Sequence, residues 1–506
     1  MATSYLTPGV YVEEVDKGSK PIEGVGTAVA AFVGVAEKGP SGSPVMLANW
    51  TQFTDAFGGF IPGAYLAHAV YGYFNNGGGL CYVIRVGGDS AASSAAAAVP
   101  AAAIPAKTGS GNALRAAAKG LSTEATSVEI TAVGDDGYSV TVRRGATEEK
   151  FEDLVLAKGA KNLVETVNKQ SQLVNLEFSG ATERAPAPGT YPLAAAAAST
   201  KAMAKVNPDQ YAGNVAERTG LGGLEAVDNV TMLCAPDVMA AYQAGALDRD
   251  GVKAVQLAMI AHCEKMGDRV AILDPMPDMN AQQALDWRQN EAGYDSKYAA
   301  LYYPWVQVAN PTPGATSTTM FVPPSGHMAG IWARSDGERG VHKAPANEVI
   351  RGVLGLPINL TANEQSVLNP VGVNCIRVFP GRGVRVWGAR TLSSDPSWRY
   401  LNVRRLFNYV EKSIEGGTQW VVFEPNDYAL WQRVKRDVRA FLKTVWMGGA
   451  LFGATPEEAF YVKCDAENNP VETRDLGQLI VEVGIAPVKP AEFVIFRISQ
   501  FTPGAN

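Results

Sequence analysis

Four nearly continuous apolar runs set the frame for this chain: Ala30-Ala31-Phe32-Val33-Gly34-Val35, Cys81-Tyr82-Val83-Ile84-Arg85-Val86, Val230-Thr231-Met232-Leu233-Cys234-Ala235 and Arg269-Val270-Ala271-Ile272-Leu273-Asp274. A strand that shows water to neither face loses its polar alternation, and strands of that kind belong to parallel sheets covered by helices on both sides. Helical stretches separate the runs as this requires, at Trp50–Phe57, Ala64–Asn75 and about Gly251–Met266, and Tyr298–Val308 reads as a further strand. The fold class is therefore α/β with a mostly parallel-sheet core. At 506 residues the chain exceeds what one core organises, and 46% hydrophobic against 19% charged residues exclude a largely disordered chain.

The core is interrupted. From Asp89 to Lys119, 14 of 31 residues are Ala, and a second Ala run covers Ala194–Ala198. Between them Val128–Val133 and Tyr138–Val142 flank the turn Gly134-Asp135-Asp136-Gly137, a hairpin signal; Phe151–Leu156 and Leu173–Phe178 add strands and Asn162–Gln170 a helix. We read 89–205 as an inserted β-rich surface domain on Ala-rich linkers, splitting the core into 30–88 and 206–370. An α+β domain at 371–486 follows: strands at Val373–Phe379 and Val384–Thr391, helices at Tyr400–Glu415 and Tyr428–Trp446, an intervening strand Gln419–Glu424, and a strand at Leu479–Ala486. Extended arms occupy 1–29 and 487–506.

Net charge is −6, which gives no footing for nucleic acid or an anionic membrane, and no apolar run reaches the roughly 20 residues of a spanning helix. The N-terminus lacks a basic segment followed by an apolar one, so no secretory signal is expected and assembly is placed in the cytoplasm. Five scattered cysteines (Cys81, Cys234, Cys263, Cys375, Cys464) suit reduced, buried thiols.

Catalytic constellations are weak. Asp237 and Asp274 end two core strands, where α/β folds place ligands, but an Asp beside Pro also caps a turn or helix. Asn75–Gly79 is glycine-rich without the Lys-Ser/Thr ending of a phosphate loop. Ser325-Gly326-His327 lacks the flanking pattern of a nucleophile turn, and His262-Cys263 are adjacent on a helix and diverge by about 100°. No metal, cofactor or catalytic residue is assigned. A degenerate α/β hydrolase stays as the alternative reading.

The termini point to assembly. Val10-Tyr11-Val12-Glu13-Glu14-Val15 and Phe493-Val494-Ile495-Phe496-Arg497-Ile498 are strands without hairpin partners, on extensions marked by Pro8, Pro487 and Pro490. They either pair with each other or add to neighbouring subunits, and heterologous addition repeated gives an open filament. Pattern alone leaves both open.

Several motifs resemble one family. Tyr5–Glu14 followed by Phe32–Pro40, then Val322-Pro323-Pro324-Ser325-Gly326-His327-Met328-Ala329-Gly330 through Arg339–Asn347, Asn374–Asp395 with Trp387-Gly388-Ala389-Arg390-Thr391, and Arg399–Arg405 are similar to contractile tail sheath proteins. The resemblance covers about 1–88 and 206–506. It implies a core that is subtilisin-like in fold yet not proteolytic. It further implies a subunit that polymerises helically around an inner tube, with baseplate and cap or terminator proteins as partners, and contracts to drive the tube through an envelope. Neither nucleic acid nor membrane insertion is implied, and the particle stays intracellular or is released by lysis. Carried onto this chain, the inter-subunit strands are Val10, Tyr11, Val12 and Val15, and Phe493, Val494, Phe496 and Ile498. The inner-tube contact is placed on Arg436, Arg439 and Lys443, which share a helix face at i, i+3, i+7.

Overall fold

The computed structural model describes all residues except 1–20, 88–100, 108–111, 120–125, 135–136, 146, 158, 160, 180–183, 194–205, 314, 316 and 498–506. The expected strand carrying Val10, Tyr11, Val12 and Val15 lies outside the described residues, as do Ile498 and the run Ala194–Ala198.

The described residues divide into two compact units, one lying within 27–339 and 344–401, the other within 21–26, 340–343 and 402–497. In the first, eight strands form one sheet. In chain order they are β1 (Val29–Gly34), β2 (Val45–Leu47), β3 (Leu80–Arg85), then, beyond the insert, β11 (Met232–Cys234), β12 (Val270–Leu273), β13 (Ala299–Tyr303), β17 (Val373–Phe379) and β18 (Gly383–Val386). Their order is β18-β17-β13-β12-β11-β1-β3-β2. Every neighbouring pair from β17 to β3 is parallel, while β18 and β2 close the edges antiparallel. Ala30–Val33, Met232–Cys234 and Val270–Leu273 are buried throughout, which is why these runs show no alternation. The helices α1 (Trp50–Phe57), α2 (Leu66–Asn75), α4 (Asp237–Gln243), α5 (Arg249–Met266) and α7 (Ser325–Arg339) belong to this unit. Asn49 and Asp248 cap α1 and α5 by accepting from Gln52 and Gly251 N–H, and Gly267 ends α5 in the left-handed region.

Three expectations change here. The run 298–308 is two strands, not one: β13 stays in the parallel sheet, while β14 (Val306–Ala309), beyond Pro304, pairs antiparallel with β15 (Thr319–Val322) and β16 (Val353–Gly355). The boundary expected at 371 moves to Asn402, because β17 pairs with β13 and carries 371–401 into the core sheet. Part of the first Ala-rich linker is sheet: β4 (Ala101–Pro105) and β5 (Asn112–Ala118) pair with each other, and β5 with β9 (Val174–Phe178). Ala has low strand propensity, which hid them, but Ala113, Leu114, Ala116 and Ala118 are buried there.

In the rest of the insert the hairpin and the helix follow the reading, while the third strand starts earlier than expected, at Thr147, and the strand Gly189–Pro192 was not expected. β6 (Thr126–Val133) and β7 (Gly137–Arg144) form the hairpin, β8 (Thr147–Val155) and β10 (Gly189–Pro192) flank it, and α3 (Leu163–Gln170) is capped by Asn162. Ile104, Leu114, Val128, Val140, Leu163 and Val174 share an apolar cluster of their own.

The second unit contains α8 (Leu401–Gly417, counted from Asn402), α9 (Tyr428–Met447) and an antiparallel pair, β19 (Phe460–Lys463) with β20 (Glu482–Ile485). Leu406, Val410, Leu430, Val434, Phe441, Phe460 and Val462 form its core. The expected strand 419–424 is a 3-10 turn, Gln419–Val421, followed by a loop in which Phe423 has φ +70° and is fully exposed. Its hydrophobic composition mimics a strand, but Val422 is 61% exposed and Phe423 fully exposed among the described residues.

Candidate functional site

The strand-end aspartates are fasteners. Asp237 begins α4 and is completely buried; its carboxylate accepts from Val35 N–H (2.6 Å), at the end of β1, and from Tyr65 N–H, just before α2. Gly34 makes room for it, since a Cβ there would lie 2.5 Å from Asp237 Oδ2. Asp274, at the end of β12, accepts from Ser325 N–H (2.8 Å) and Ser325 Oγ (2.6 Å) at the start of α7, and its own carbonyl accepts from Gln256 Nε2. The Ser325 hydroxyl thus donates to a carboxylate, with no base drawing its proton away. His327 is 3% exposed and its Nδ1 meets no partner among the described residues; the same holds for Nε2 of His68. Ser325, Asp274 and His327 are neighbours in sequence or space without the relay that a nucleophile needs. His262 lies beside the buried Arg269, 3.3 Å away. Among the described residues no group of three or more His, Cys, Asp and Glu could hold a metal, and no helix is long and apolar enough to cross a membrane.

Burial sets the acid–base behaviour of this layer. It pushes Asp237 and Asp274 up to about 7 and His68, His262 and His327 down to about 4. A carboxyl raised in the folded state stabilises below its unfolded value near 4, and that contribution is lost as pH rises toward 7. The histidines act oppositely: their cost appears as pH falls from 6.5 toward 4. The two sets offset each other between pH 4 and 6.5, so acid sensitivity is muted in the wild type. Asp274→Asn removes one offsetting carboxyl. Its melting temperature relative to wild type is expected to rise steadily from pH 4.5 to 7.5; a pH-independent difference would contradict the raised Asp274.

The second unit carries the surfaces that this chain leaves uncovered. The β19–β20 pair is a two-stranded sheet, an arrangement that is marginal by itself and is backed on one face by Phe460, Val462, Val483 and Ile485. On the other face the Tyr461 ring lies over Gly484 and its hydroxyl donates to Glu482 (2.7 Å). Past β20 the chain is held to Ala450–Phe452 by Phe452 N–H to the Ala486 carbonyl (2.8 Å) and Val488 N–H to the Ala450 carbonyl (3.1 Å). Beyond that, Phe493, Val494, Ile495 and Phe496 are 71%, 68%, 78% and 84% exposed and belong to no strand of this chain.

On α9 the expected contact residues Arg436, Arg439 and Lys443 are all exposed. Arg436 pairs with Asp437 (3.0 Å) and Arg439 with Glu457 (3.2 Å). Arg433 pairs with Glu424 and lies 5.0 Å over the Trp420 ring. Sequence reasoning missed Phe423, and also the packing of Ile22 and Gly24 against Gly417 and Tyr409. The glycines at 24 and 417 were a visible signal, but nothing in local pattern pairs positions so far apart.

Residues 216–392 match the family model described as phage tail sheath protein central domain, and residues 393–501 the model described as phage tail sheath C-terminal domain. The tail sheath protein of Burkholderia phage BcepMu is 27% identical over 98% of this chain and 97% of its own length. That of Vibrio phage KVP40 is 29% identical over 37% of this chain and 27% of its own length. Alignments to several relatives span well under two thirds of them, from 27% to 61%. The anti-feeding prophage helical sheath in the contracted state is similar in structure, with TM-score 0.60 and 25% identity over 98% of this chain and all of that one.

Proposed function

Because the chain belongs to the family of contractile tail sheath proteins, we propose that it is the structural sheath subunit of a phage tail or phage-tail-like contractile injection system. It polymerises helically around an inner tube, joins a baseplate and a cap or terminator, and contracts to drive the tube through an envelope. One observation carries this reading: an apolar terminal segment that its own chain leaves exposed, on the unit that holds an unextended two-stranded sheet. Strand addition satisfies both, since main-chain hydrogen bonds complete the sheet edge and the apolar side chains leave water. Residues 10–15 serve as the second arm. The core keeps the subtilisin-like description as a matter of fold alone, and assembly takes place in the cytoplasm before the particle acts there or is freed by lysis.

Arg436, Arg439 and Lys443 face an acidic tube. The Arg439–Glu457 pair is solvent-exposed, and a pair of that kind is worth little, so its exchange for a tube carboxylate is easy; Arg436 instead reaches out to solvent from the buried Asp437. Electron microscopy of the protein expressed alone and with its tube protein tests the whole reading. Hollow, regularly striated tubes are the expected result, and monomers under both conditions would overturn it. In the same preparations Arg436→Glu with Lys443→Glu is expected to leave sheaths that are mostly empty of tube. Undisturbed tube filling would remove α9 as the contact.

A further inference from the structure

Both terminal segments are rooted on one helix. Residues 22–25 are extended beside the C-terminal half of α8. Ile22, 8% exposed, covers Gly417, where an added Cβ would come within 2.7 to 2.9 Å of three Ile22 atoms. Gly24 passes under the Tyr409 ring, with no room for a side chain. Val25 N–H donates to Ser413 Oγ (3.1 Å), and that hydroxyl donates to the Tyr409 carbonyl (2.7 Å). Tyr409, Ser413 and Gly417 recur at four-residue spacing, so they form one stripe of the helix. The small residues at its end leave a groove that the extended chain fills.

At the other end of α8, the Asn402 amide donates to the carbonyls of His342 (2.7 Å) and Val488 (3.1 Å). Val488 is where the C-terminal segment leaves the sheet; its neighbour Pro487 bridges to Leu451. The 15 steps from 402 to 417 make about 22 Å of helix between the two roots. Side chains brace the first part of that span: Arg404 Nε donates to Asn408 (2.7 Å) and Arg404 pairs with Glu411 (3.1 Å).

We propose that α8 is the tension member of the assembled sheath. The proposal rests on the reading of both terminal segments as inter-subunit arms. A pull on the first twenty residues enters at Ile22 and Gly417, runs along the helix axis and leaves at Asn402 through Val488 to the C-terminal arm. A hydrogen-bonded helix loaded along its axis stretches little, so the spacing of the two arms is held by backbone geometry. The path uses no residue of the α/β unit, so rearrangement within that unit does not lengthen it. Gly417 and Asn402 are positioning residues: they fix where the arms depart.

The full-length variants Gly417→Val, Ser413→Ala, Asn402→Ala and the double Gly417→Val/Asn402→Ala test this, with Glu415→Ala as a control at an exposed site on the same helix. Sheaths are assembled, sheared under fixed flow and measured by electron microscopy, and monomer melting is recorded alongside. Glu415→Ala is expected to match wild type. Ser413→Ala should melt close to wild type yet shear to lengths about fivefold shorter, the factor implied by one lost hydrogen bond per joint; Asn402→Ala, which loses two, and Gly417→Val, which displaces Ile22, should shear at least as short. The double variant should fragment further. If Gly417→Val itself melts low, Ser413→Ala, which loses only a hydroxyl, carries the comparison. Deletion of residues 1–15 runs in parallel. Long sheaths from the deletion would overturn the arm reading, whereas short sheaths from the deletion with wild-type shear lengths in all the point variants would overturn the role of α8 alone.

Discussion

Ending the chain at Lys489 is expected to give a folded monomer that forms no long tubes. The segment removed includes Phe493, Val494, Ile495 and Phe496, whose side chains are more than two thirds exposed, so the monomer's own core loses nothing. In a sheath they would be buried at every joint. Full burial of a large apolar side chain is worth about 1.5–3 kcal/mol, so four of them contribute on the order of 6–12 kcal/mol per joint before ordering costs are subtracted. A loss of that size abolishes polymerisation instead of shortening it. Melting should stay close to wild type, and light scattering should report a monomer at concentrations where the full chain assembles. Deleting residues 1–15 should act in the same direction through the other arm. Long ordered tubes from both truncations would sink strand addition as the joint.

What the sequence showed and what it hid divide along physical lines. β1, β3, β11 and β12 were legible because burial on both faces removes polar alternation. α8 and α9 were legible by their period. The 419–424 segment failed for the converse reason: Trp420, Val421, Val422 and Phe423 have strand-like composition, but their hydrophobicity serves no strand in this chain. The Ala-rich strands β4 and β5 failed because small side chains carry no propensity signal, while the pairing of β5 with β9 spans some sixty residues of chain. The proposed assembly surfaces were legible only as terminal strands without partners. Which residues root them, Ile22 on Gly417 and Asn402 on Val488, follows from tertiary contacts that no local pattern encodes.

The stretch Ser325–Gly330, singled out by resemblance to the family, gains its reason from packing, and that reason predicts a large effect. Gly326 and Gly330 are one helical turn apart on α7, and both press against the backbone of α2. A Cβ on Gly330 would stand 2.5 Å from the Tyr73 carbonyl oxygen, 2.7 Å from Asn76 Cβ and 3.0 Å from Tyr73 Cα; one on Gly326 would overlap the backbone of Ala69. Backbone cannot rotate aside as a side chain can, so relief requires the two helices to separate. Separation would pull Ser325 from Asp274 and open the site of His68 and His327, whose ring nitrogens are already buried without partners. Gly330→Val is therefore expected to cost at least about 3 kcal/mol, at the upper end of overpacking effects. Urea denaturation of the monomer should show it as a lower midpoint with the slope unchanged. Gly337 supplies the opposite sign on the same helix: nothing lies within 4 Å of its Cβ position. Gly337→Ala should gain about 0.5–1 kcal/mol from helix propensity alone. If Gly330→Val unfolds at the wild-type midpoint while Gly337→Ala is stabilised as expected, close helix contact is not what the glycines of this stretch provide.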